Sequence, residues 1–245
     1  MVRLTILIDD INGVEKDFVK SFGFAALIEK NNKKVLFDAG THVSPLLTNL
    51  KTIDVSPASL DAVILSHNHN DHTDGLPGIL RKNNSIPVHV NKDWNVPVSF
   101  QGKRIPEKNL RINDNAREVK EITNGIYLTN SYFSSDYGKI YEHACYIKTD
   151  NSFILLCGCC HPGLNNFLKD RKQLNIPLDS PLHFIGGMHG FQFTDSQANE
   201  LSPIVKSVIL CHCTMQAKMF REQFGDKCSL GIVGKTMNFP SESPN

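Results

Sequence analysis

The chain has 245 residues, of which 40% are hydrophobic and 21% are charged, and its formal net charge is +1. This length allows one sizeable α/β domain or two small ones, and the composition argues against a disordered, coiled-coil or collagen-like chain. A near-neutral charge argues against a dedicated nucleic-acid binder, which usually carries a basic face. The first apolar run is too short for a signal peptide and no run reaches the length of a membrane span, so we expect a cytoplasmic protein without membrane contact.

Short apolar runs bounded by charged or turn residues predict strands in the first half of the chain. The predicted strands are Leu4–Ile8, Phe24–Ile28, Val35–Phe37, Ala62–Leu65, Tyr127–Asn130 and Ala144–Ile147, and the predicted helices are Ser44–Leu50 and Gly75–Lys82. The polar stretch Asn91–Glu118 contains two prolines and predicts loops or edge strands.

Strands and helices alternate more regularly in the second half. The predicted order is strand Phe153–Cys157, helix Leu164–Lys172, strand His183–Ile185, helix Ser196–Leu201, strand Val208–Cys211, helix Met215–Phe224 and strand Leu230–Val233. Such alternation indicates α/β layers with buried strands. Since no linker or repeat interrupts the chain, we expect one domain over residues 1–239 and a disordered tail over 240–245.

The seven cysteines include two tight groups, at positions 157–160 and 211–213. An odd count without a signal sequence argues against a secreted disulfide framework. Because cysteine is among the most buried residue types, packing explains each of these thiols about as well as a functional role does.

The apolar run Ala62–Leu65 is followed directly by Ser-His-Asn-His-Asn-Asp-His, which offers three imidazoles and a carboxylate within six positions: His67, His69, Asp71 and His72. These nitrogen and oxygen donors are the ligands that a zinc-like cation prefers. In a loop that leaves a strand, His67 and His69 point the same way, and Asp71 and His72 face a second point once the chain has turned. The spacing predicts two metal ions, which lie roughly 3.5–4 Å apart in such sites.

Two metal ions need more ligands than this segment provides, and three further histidines each follow a predicted strand of the second half: His161, His189 and His212. Because α/β folds build sites at the carboxyl ends of strands, we expect the three to reach the same edge of a sheet. The remaining histidines have weaker contexts and are interpreted as packing or surface residues: His42, His89, His143 and His183.

The His67-X-His69-X-Asp71-His72 pattern, preceded by Val-Leu-Phe-Asp38-Ala-Gly, resembles the metallo-β-lactamase fold superfamily of metallohydrolases. The resemblance implies an α/β fold, namely a four-layer αββα sandwich of two mixed β-sheets flanked by helices. It also implies that Asp38 lies behind the ligands and orients a ligand imidazole, as such carboxylates do.

Within the superfamily, the chain is similar to 7,8-dihydropterin-6-methyl-4-(β-D-ribofuranosyl)aminobenzene-5'-phosphate synthase-like proteins. The matching segments are Gly23–Ile28, Gly158–Gly163, Gly186–His189 and His212–Thr214. The chain departs from that pattern at Asp74, Cys160, Gly190 and Met215. We expect Met215 and Gly190 to reshape the substrate pocket.

The hypothesis that follows is metal-assisted hydrolysis, with His67, His69 and His161 on one cation and Asp71, His72 and His212 on the other. Two divalent ions, Zn²⁺ in the first place with Mn²⁺ or Fe²⁺ as alternatives, would activate a shared water, and the resulting hydroxide would attack the substrate. Cys159 is either a bridging ligand or a buried thiol. His189 is either a proton donor or phosphate-binding group or a structural histidine.

The resemblance implies a small phosphorylated substrate that is pterin-like or nucleotide-like. Hydrolysis of a carboxylic ester, lactone or thioester at the same site is the first alternative. A metal-binding protein without hydrolase activity, such as a redox or sensor module, is an alternative of another class. The sequence leaves the oligomeric state open.

Overall fold

Two seven-stranded sheets form the centre of the fold. The computed structural model describes residues 1–114, 120–136 and 138–239. The strands are β1 (Val2–Ile8), β2 (Ala25–Lys30), β3 (Lys33–Phe37), β4 (Ala62–Ile64), β5 (Val88–Val90), β6 (Leu110–Ile112), β7 (Lys120–Thr123), β8 (Ile126–Leu128), β9 (Tyr132–Ser134), β10 (Ile140–Glu142), β11 (Cys145–Lys148), β12 (Phe153–Cys157), β13 (Leu182–Gly186), β14 (Val205–Leu210), β15 (Cys228–Leu230) and β16 (Thr236–Phe239). The α-helices are α1 (Val43–Thr52), α2 (Asn70–Thr73), α3 (Leu76–Leu80), α4 (Leu164–Lys169), α5 (Asp195–Leu201) and α6 (Ala217–Phe224).

Each sheet is mixed. The first has the order β16-β1-β2-β3-β4-β5-β6 and is parallel from β3 to β6. The second has the order β15-β14-β13-β12-β11-β8-β7 and is parallel from β12 to β15. Strands β9 and β10 form a separate antiparallel hairpin.

The apolar side chains divide into three layers because successive residues of a strand point to opposite faces. Val35 and Phe37 on β3 pack between the two sheets, together with Ile154 and Leu156 on β12. Leu36 packs on the outer face of the first sheet, in the layer that α1 and α3 cover. The equivalent outer layer of the second sheet contains residues of α4, α5 and α6. This arrangement confirms the predicted four-layer αββα sandwich.

The covering helices are amphipathic at the expected spacing. Leu46 and Leu50 are one turn apart on α1 and fully buried. Phe220 and Phe224 repeat the spacing on α6, and their rings stack with centroids 6.3 Å apart. Helix α5 begins with a capping box between Thr194 and Gln197, which satisfies backbone N–H groups at its first turn.

The elements predicted from apolar runs are present, with ends shifted by a few residues. The strand predicted over Leu230–Val233 is wrong in position, because β15 ends at Leu230. The prediction missed β5, β7, the β9–β10 hairpin and β16, which are short and have mixed polarity. The predicted tail over 240–245 lies outside the described residues. Among the helices described, none combines the length and the apolar character needed to cross a bilayer.

Replacing Phe37 by Ala tests the layer between the sheets. Phe37 is fully buried and contacts Phe24 edge to face at 6.3 Å. The cavity should lower the free energy of unfolding by about 3–5 kcal/mol, measured by denaturant titration. Leu178→Ala is the control, because this side chain is 71% exposed and its loss should change the free energy by no more than about 0.5 kcal/mol.

Candidate metal centre

The histidine-rich segment leaves the carboxyl end of β4 and then turns into the short helix α2. His67 and His69 precede the helix, whereas Asp71 and His72 lie within it. The change of direction separates the four side chains into two pairs, as the spacing predicts.

Each pair is joined by a histidine from the second sheet. His161 follows β12, and its ring nitrogen lies within 4.8 Å of donor nitrogens of His67 and His69. His212 follows β14 and forms the same kind of group with Asp71 and His72. The structure therefore brings all six predicted ligands together at one edge of the two sheets. Their role as metal ligands stays a prediction.

Two imidazole nitrogens of the first group have no hydrogen-bond partner among the described residues. They are Nε2 of His67 and Nε2 of His161, and both atoms are buried. The two rings lie with centroids 4.8 Å apart. Since a buried nitrogen without a partner costs free energy, a cation that accepts both lone pairs suits this arrangement.

Asp38 lies behind the cluster and contacts both His72 and Ser66. Its Oδ2 is 2.7 Å from Nδ1 of His72 and accepts a hydrogen bond from the Ser66 hydroxyl at 2.8 Å. Its Oδ1 accepts the Ser66 backbone N–H at 2.7 Å. The Ser66 hydroxyl is also 2.8 Å from Nδ1 of His67. Asp38 thus fixes the ring of His72 directly and the ring of His67 through Ser66. An orienting carboxylate at this position is what the resemblance implies.

Two N-terminal aspartates, neither of them predicted as a site residue, hold His212. Asp10 Oδ1 is 2.5 Å from Nδ1 of His212, and Asp9 Oδ1 accepts the His212 backbone N–H at 2.8 Å. On its other side, Nε2 of His212 is 3.1 Å from Asp71 Oδ2. In the sequence, the pair Asp9-Asp10 at the end of a strand was the available signal for these residues. Their partner His212 lies about 200 residues further along the chain, so the contact itself had no local signal.

Glu142 is a buried carboxylate that holds the turn after β12. Its oxygens accept the backbone N–H groups of Cys159, Cys160 and His161 at 2.9, 2.8 and 2.7 Å. Burial raises the pKa of Glu142 to about 7, while the three N–H donors act in the opposite direction. No feature of the sequence singles out this residue.

His189 reaches the same edge of the sheet as His161 and His212. Its Nδ1 is 2.9 Å from Oδ2 of Asp136, a residue of the β9–β10 turn, and its ring lies 4.6 Å from that of His161. The other histidines lie elsewhere: His143 is buried beside Asn113, and His183 contacts Ser207.

Cys159 lies between the two groups of predicted ligands. Its Sγ is 3.1 Å from Nε2 of His72 and belongs to one donor group with His67 and His72. It belongs to a second donor group with His212 and Cys213. Cys213, which was not predicted as a donor, places its Sγ 3.0 Å from that of Cys159.

The two ligand groups hold protons in opposite ways. Burial, reinforced by the neighbouring imidazoles, lowers the pKa values of His67 and His161. Burial also opposes charge on His212, but hydrogen bonds to Asp10 and Asp71 outweigh it and raise the pKa to about 10. His72 likewise has a raised pKa, because Asp38 and Asp71 outweigh burial. His67 and His161 are therefore neutral at pH 7, whereas His72 pairs with Asp38 and His212 pairs with Asp10 and Asp71.

Close backbone packing at the site requires glycine at two positions. A Cβ on Gly158 would lie 2.0 Å from the Ser66 hydroxyl oxygen. A Cβ on Gly23, which has φ of +99°, would lie 2.0 Å from the Asp71 carbonyl oxygen. Larger residues would displace the segments that present the donors.

The structure explains three departures from the family pattern. Asp74 Oδ1 accepts the Lys103 backbone N–H at 2.9 Å and so fastens a neighbouring loop to the motif. A Cβ on Gly190 would lie 3.1 Å from Cε of Met215, so Met215 fills the space that a larger residue 190 would need. The two departures at 190 and 215 therefore belong together.

Comparison with known proteins agrees with this geometry. Residues 20–129, which include the histidine-rich segment, match the model of the metallo-beta-lactamase superfamily. A solved metal-dependent hydrolase of the beta-lactamase superfamily superposes with a TM-score of 0.72, at 19% identity, over 98% of this chain and 100% of that chain. The chain has the metallo-β-lactamase fold.

Further proteins are similar over nearly the whole chain. 7,8-dihydropterin-6-methyl-4-(beta-D-ribofuranosyl)-aminobenzene-5'-phosphate synthase of Methanocaldococcus jannaschii is 26% identical, with 97% of each chain covered. The short form of human tRNase Z superposes with a TM-score of 0.57 at 12% identity, over 98% of this chain and 100% of that chain. The predicted resemblance to the metallo-β-lactamase fold is confirmed.

Replacing Glu142 by Gln tests its role in holding the turn. Glutamine retains one acceptor oxygen and turns an amide N–H₂ toward a backbone donor, so a buried N–H loses its partner. The free energy of unfolding should fall by about 1–3 kcal/mol, measured by denaturant titration at pH 7.5. The matched control is Glu222→Gln on the exposed face of α6, which should leave stability unchanged within about 0.5 kcal/mol.

Proposed function

We propose that the chain is a hydrolase that uses two divalent metal ions and acts on a small phosphorylated substrate. The observation that carries this proposal is the pair of three-residue donor groups at one edge of the sheets. His67, His69 and His161 would hold one ion, and the remaining predicted ligands, Asp71, His72 and His212, would hold the other.

The donor chemistry favours zinc. Imidazole nitrogen and carboxylate oxygen also suit Mn²⁺ and Fe²⁺, but a thiolate at Cys159 selects a softer cation. The short distances from Cys159 to both donor groups support its role as a bridging ligand over a role as a packing thiol alone. When bound, the two ions would activate water near neutral pH and stabilise negative charge on the substrate.

The surrounding residues position the ligands and handle protons. Asp38 and Asp10 accept hydrogen bonds at Nδ1 of His72 and His212, which turns Nε2 of each ring toward the centre. Asp136 fixes the ring of His189 through Nδ1. An imidazole paired with a carboxylate is suited to giving a proton to the leaving group or to binding a phosphate oxygen, and we assign His189 this role.

A cavity beside the metal centre supports a substrate with a planar ring. Its volume is about 300 Å³, and its wall includes Asn68, Trp94, Phe133 and Tyr141. In the sequence, Asn68 lies between the proposed ligands His67 and His69. Nδ2 of Asn68 donates to the Trp94 carbonyl, while its buried Oδ1 has no partner among the described residues. The aromatic side chains of the wall suit stacking on a pterin or a nucleobase, and Lys139 on the same wall could attract phosphate.

Metal binding is the first test. Elemental analysis of the purified chain should find one to two transition-metal ions per chain, and a chain without any would contradict the proposal. Because His72 and His212 have raised pKa values, zinc must displace their protons, so adding zinc to the metal-free chain at pH 7.5 should release protons. The affinity should rise with pH up to about 10, where His212 loses its proton.

Asp10→Asn is the matched variant for the proton measurement. Removing this carboxylate lowers the pKa of His212, so the pH above which zinc releases no proton from this residue should be lower in the variant than in the parent chain. An identical pH dependence of proton release in both chains would mean that His212 does not exchange a proton for the metal.

Hydrolysis itself is tested with a panel of phosphomonoesters, phosphodiesters, carboxylic esters, a lactone and a thioester, with and without chelator. Phosphate esters should turn over best, and chelator should abolish the activity. Asp71→Asn should reduce kcat/KM at least about 100-fold, because losing a ligand costs more than losing an orienting partner. Asp74→Asn in the same segment is the control and should retain activity. Turnover that survives chelation would contradict the metal mechanism.

A further inference from the structure

Two thiols from different turns meet beside the second ligand group. Cys159 follows β12 and Cys213 follows β14, and their sulfur atoms are 3.0 Å apart. The residues are 54 positions apart in sequence, so the fold, and not local spacing, creates the contact. Both turns are tightly fixed: Glu142 binds the first through three backbone N–H groups, and Cys213 has φ of +60° in the second.

The same sulfur atoms lie within reach of the proposed ligands. The donors of Cys159, His212 and Cys213 lie within 4.8 Å of one another, and Cys159 is 3.1 Å from Nε2 of His72. As reduced thiolates, both cysteines can therefore contribute sulfur ligands to the cation of the second group.

The pair is also close to the geometry of a disulfide. A disulfide has a sulfur–sulfur distance of about 2.05 Å, so the two atoms need to approach by about 1 Å. A sulfur in a disulfide is no longer a thiolate and loses its value as a metal ligand.

We propose that Cys159 and Cys213 are a redox-active dithiol, and that their oxidation to a disulfide and metal binding by the second group exclude each other. The oxidant is of the peroxide class. The metal part of this inference depends on the function proposed above, whereas disulfide formation does not.

The order of the steps follows from exposure. Cys213 is partly accessible and Cys159 is buried, so peroxide meets Cys213 first. The Cys213 thiolate attacks one peroxide oxygen and the O–O bond breaks, so that Cys213 becomes a sulfenic acid. The released hydroxide takes a proton and becomes water. The sulfur of Cys159 then attacks that of Cys213, the S–S bond forms, the S–O bond breaks, and a second water leaves with the Cys159 proton. The two sulfurs supply the two electrons that reduce the peroxide.

The test uses the full-length chain in chelator-treated and zinc-loaded forms. Each is exposed to hydrogen peroxide, denatured, alkylated and analysed by intact mass and peptide mapping. In the chelator-treated chain the count of reactive thiols should fall from seven to five, with a peptide that links Cys159 to Cys213. A dithiol reductant should restore all seven. Saturating zinc should slow the reaction by about tenfold or more, because bound metal occupies the thiolates.

Serine variants identify the pair. Cys159→Ser and Cys213→Ser should each abolish the disulfide, and Cys228→Ser on β15 should leave it unchanged. Cys157 and Cys160 are buried on the helix-covered side of the second sheet and provide an internal comparison, since a link between these two residues would contradict the proposal.

The outcomes separate the two proposals. A thiol count that stays at seven in the metal-free parent chain overturns the inference even where metal binding is normal. Disulfide formation at the same rate with and without bound zinc overturns the mutual exclusion. A chain that forms the Cys159–Cys213 link but binds no metal contradicts the proposed hydrolase and leaves the redox pair standing. If a serine variant fails to fold, the peptide map of the parent chain decides.

Discussion

Burial of several imidazoles against one another is the constraint on which the rest of the molecule depends. His67 is wholly buried, and its ring lies within 5 Å of the rings of His69, His72 and His161. Charging them together would place like charges in a medium of low dielectric. When His67 and His161 are neutral, the buried Nε2 of each has no hydrogen-bond partner among the described residues. A divalent cation resolves both difficulties. Three carboxylates lie behind the rings of the cluster: Asp38 contacts His72, Asp10 contacts His212, and Asp136 contacts His189. Their negative charges compensate positive charge on the buried imidazoles.

The division of the site into a neutral group and an ion-paired group has a consequence for assembly with metal. His67 and His161 of the first group are neutral, so a cation meets no competition from protons at these two residues. The second group exchanges protons for its cation, and Asp71 and Asp10 must release His212 from an ion pair. Under the proposed ligand set, the two positions therefore differ in affinity, and the difference grows as pH falls.

Sequence reasoning located the donors but not the residues that hold them. His67 to His72 are dense enough to be recognised locally, and strand-end placement predicted that His161, His189 and His212 would share an edge. Asp136 and Glu142 gave no comparable signal, because each is a single carboxylate whose partner is fixed only by tertiary contact, and the pair Asp9-Asp10 did not indicate that its partner is His212. The β9–β10 hairpin that supplies two of these carboxylates was missed for the same reason, since short strands of mixed polarity have no distinctive periodicity. The pairing of Cys159 with Cys213 likewise depends on the alignment of β12 with β14 across β13.

The last strand, β16, pairs with the first, so that Val2 lies opposite Phe239 and Thr5 opposite Thr236. During synthesis, β1 leaves the ribosome more than two hundred residues before its outer neighbour exists. At translation rates of about 5–20 residues per second, this strongly apolar strand remains an open edge for on the order of 10–45 s. An uncovered edge of this kind recruits other chains. The more polar β16 ends that exposure, so a nascent chain interrupted near residue 230 carries almost the whole fold but leaves the apolar edge of β1 uncovered.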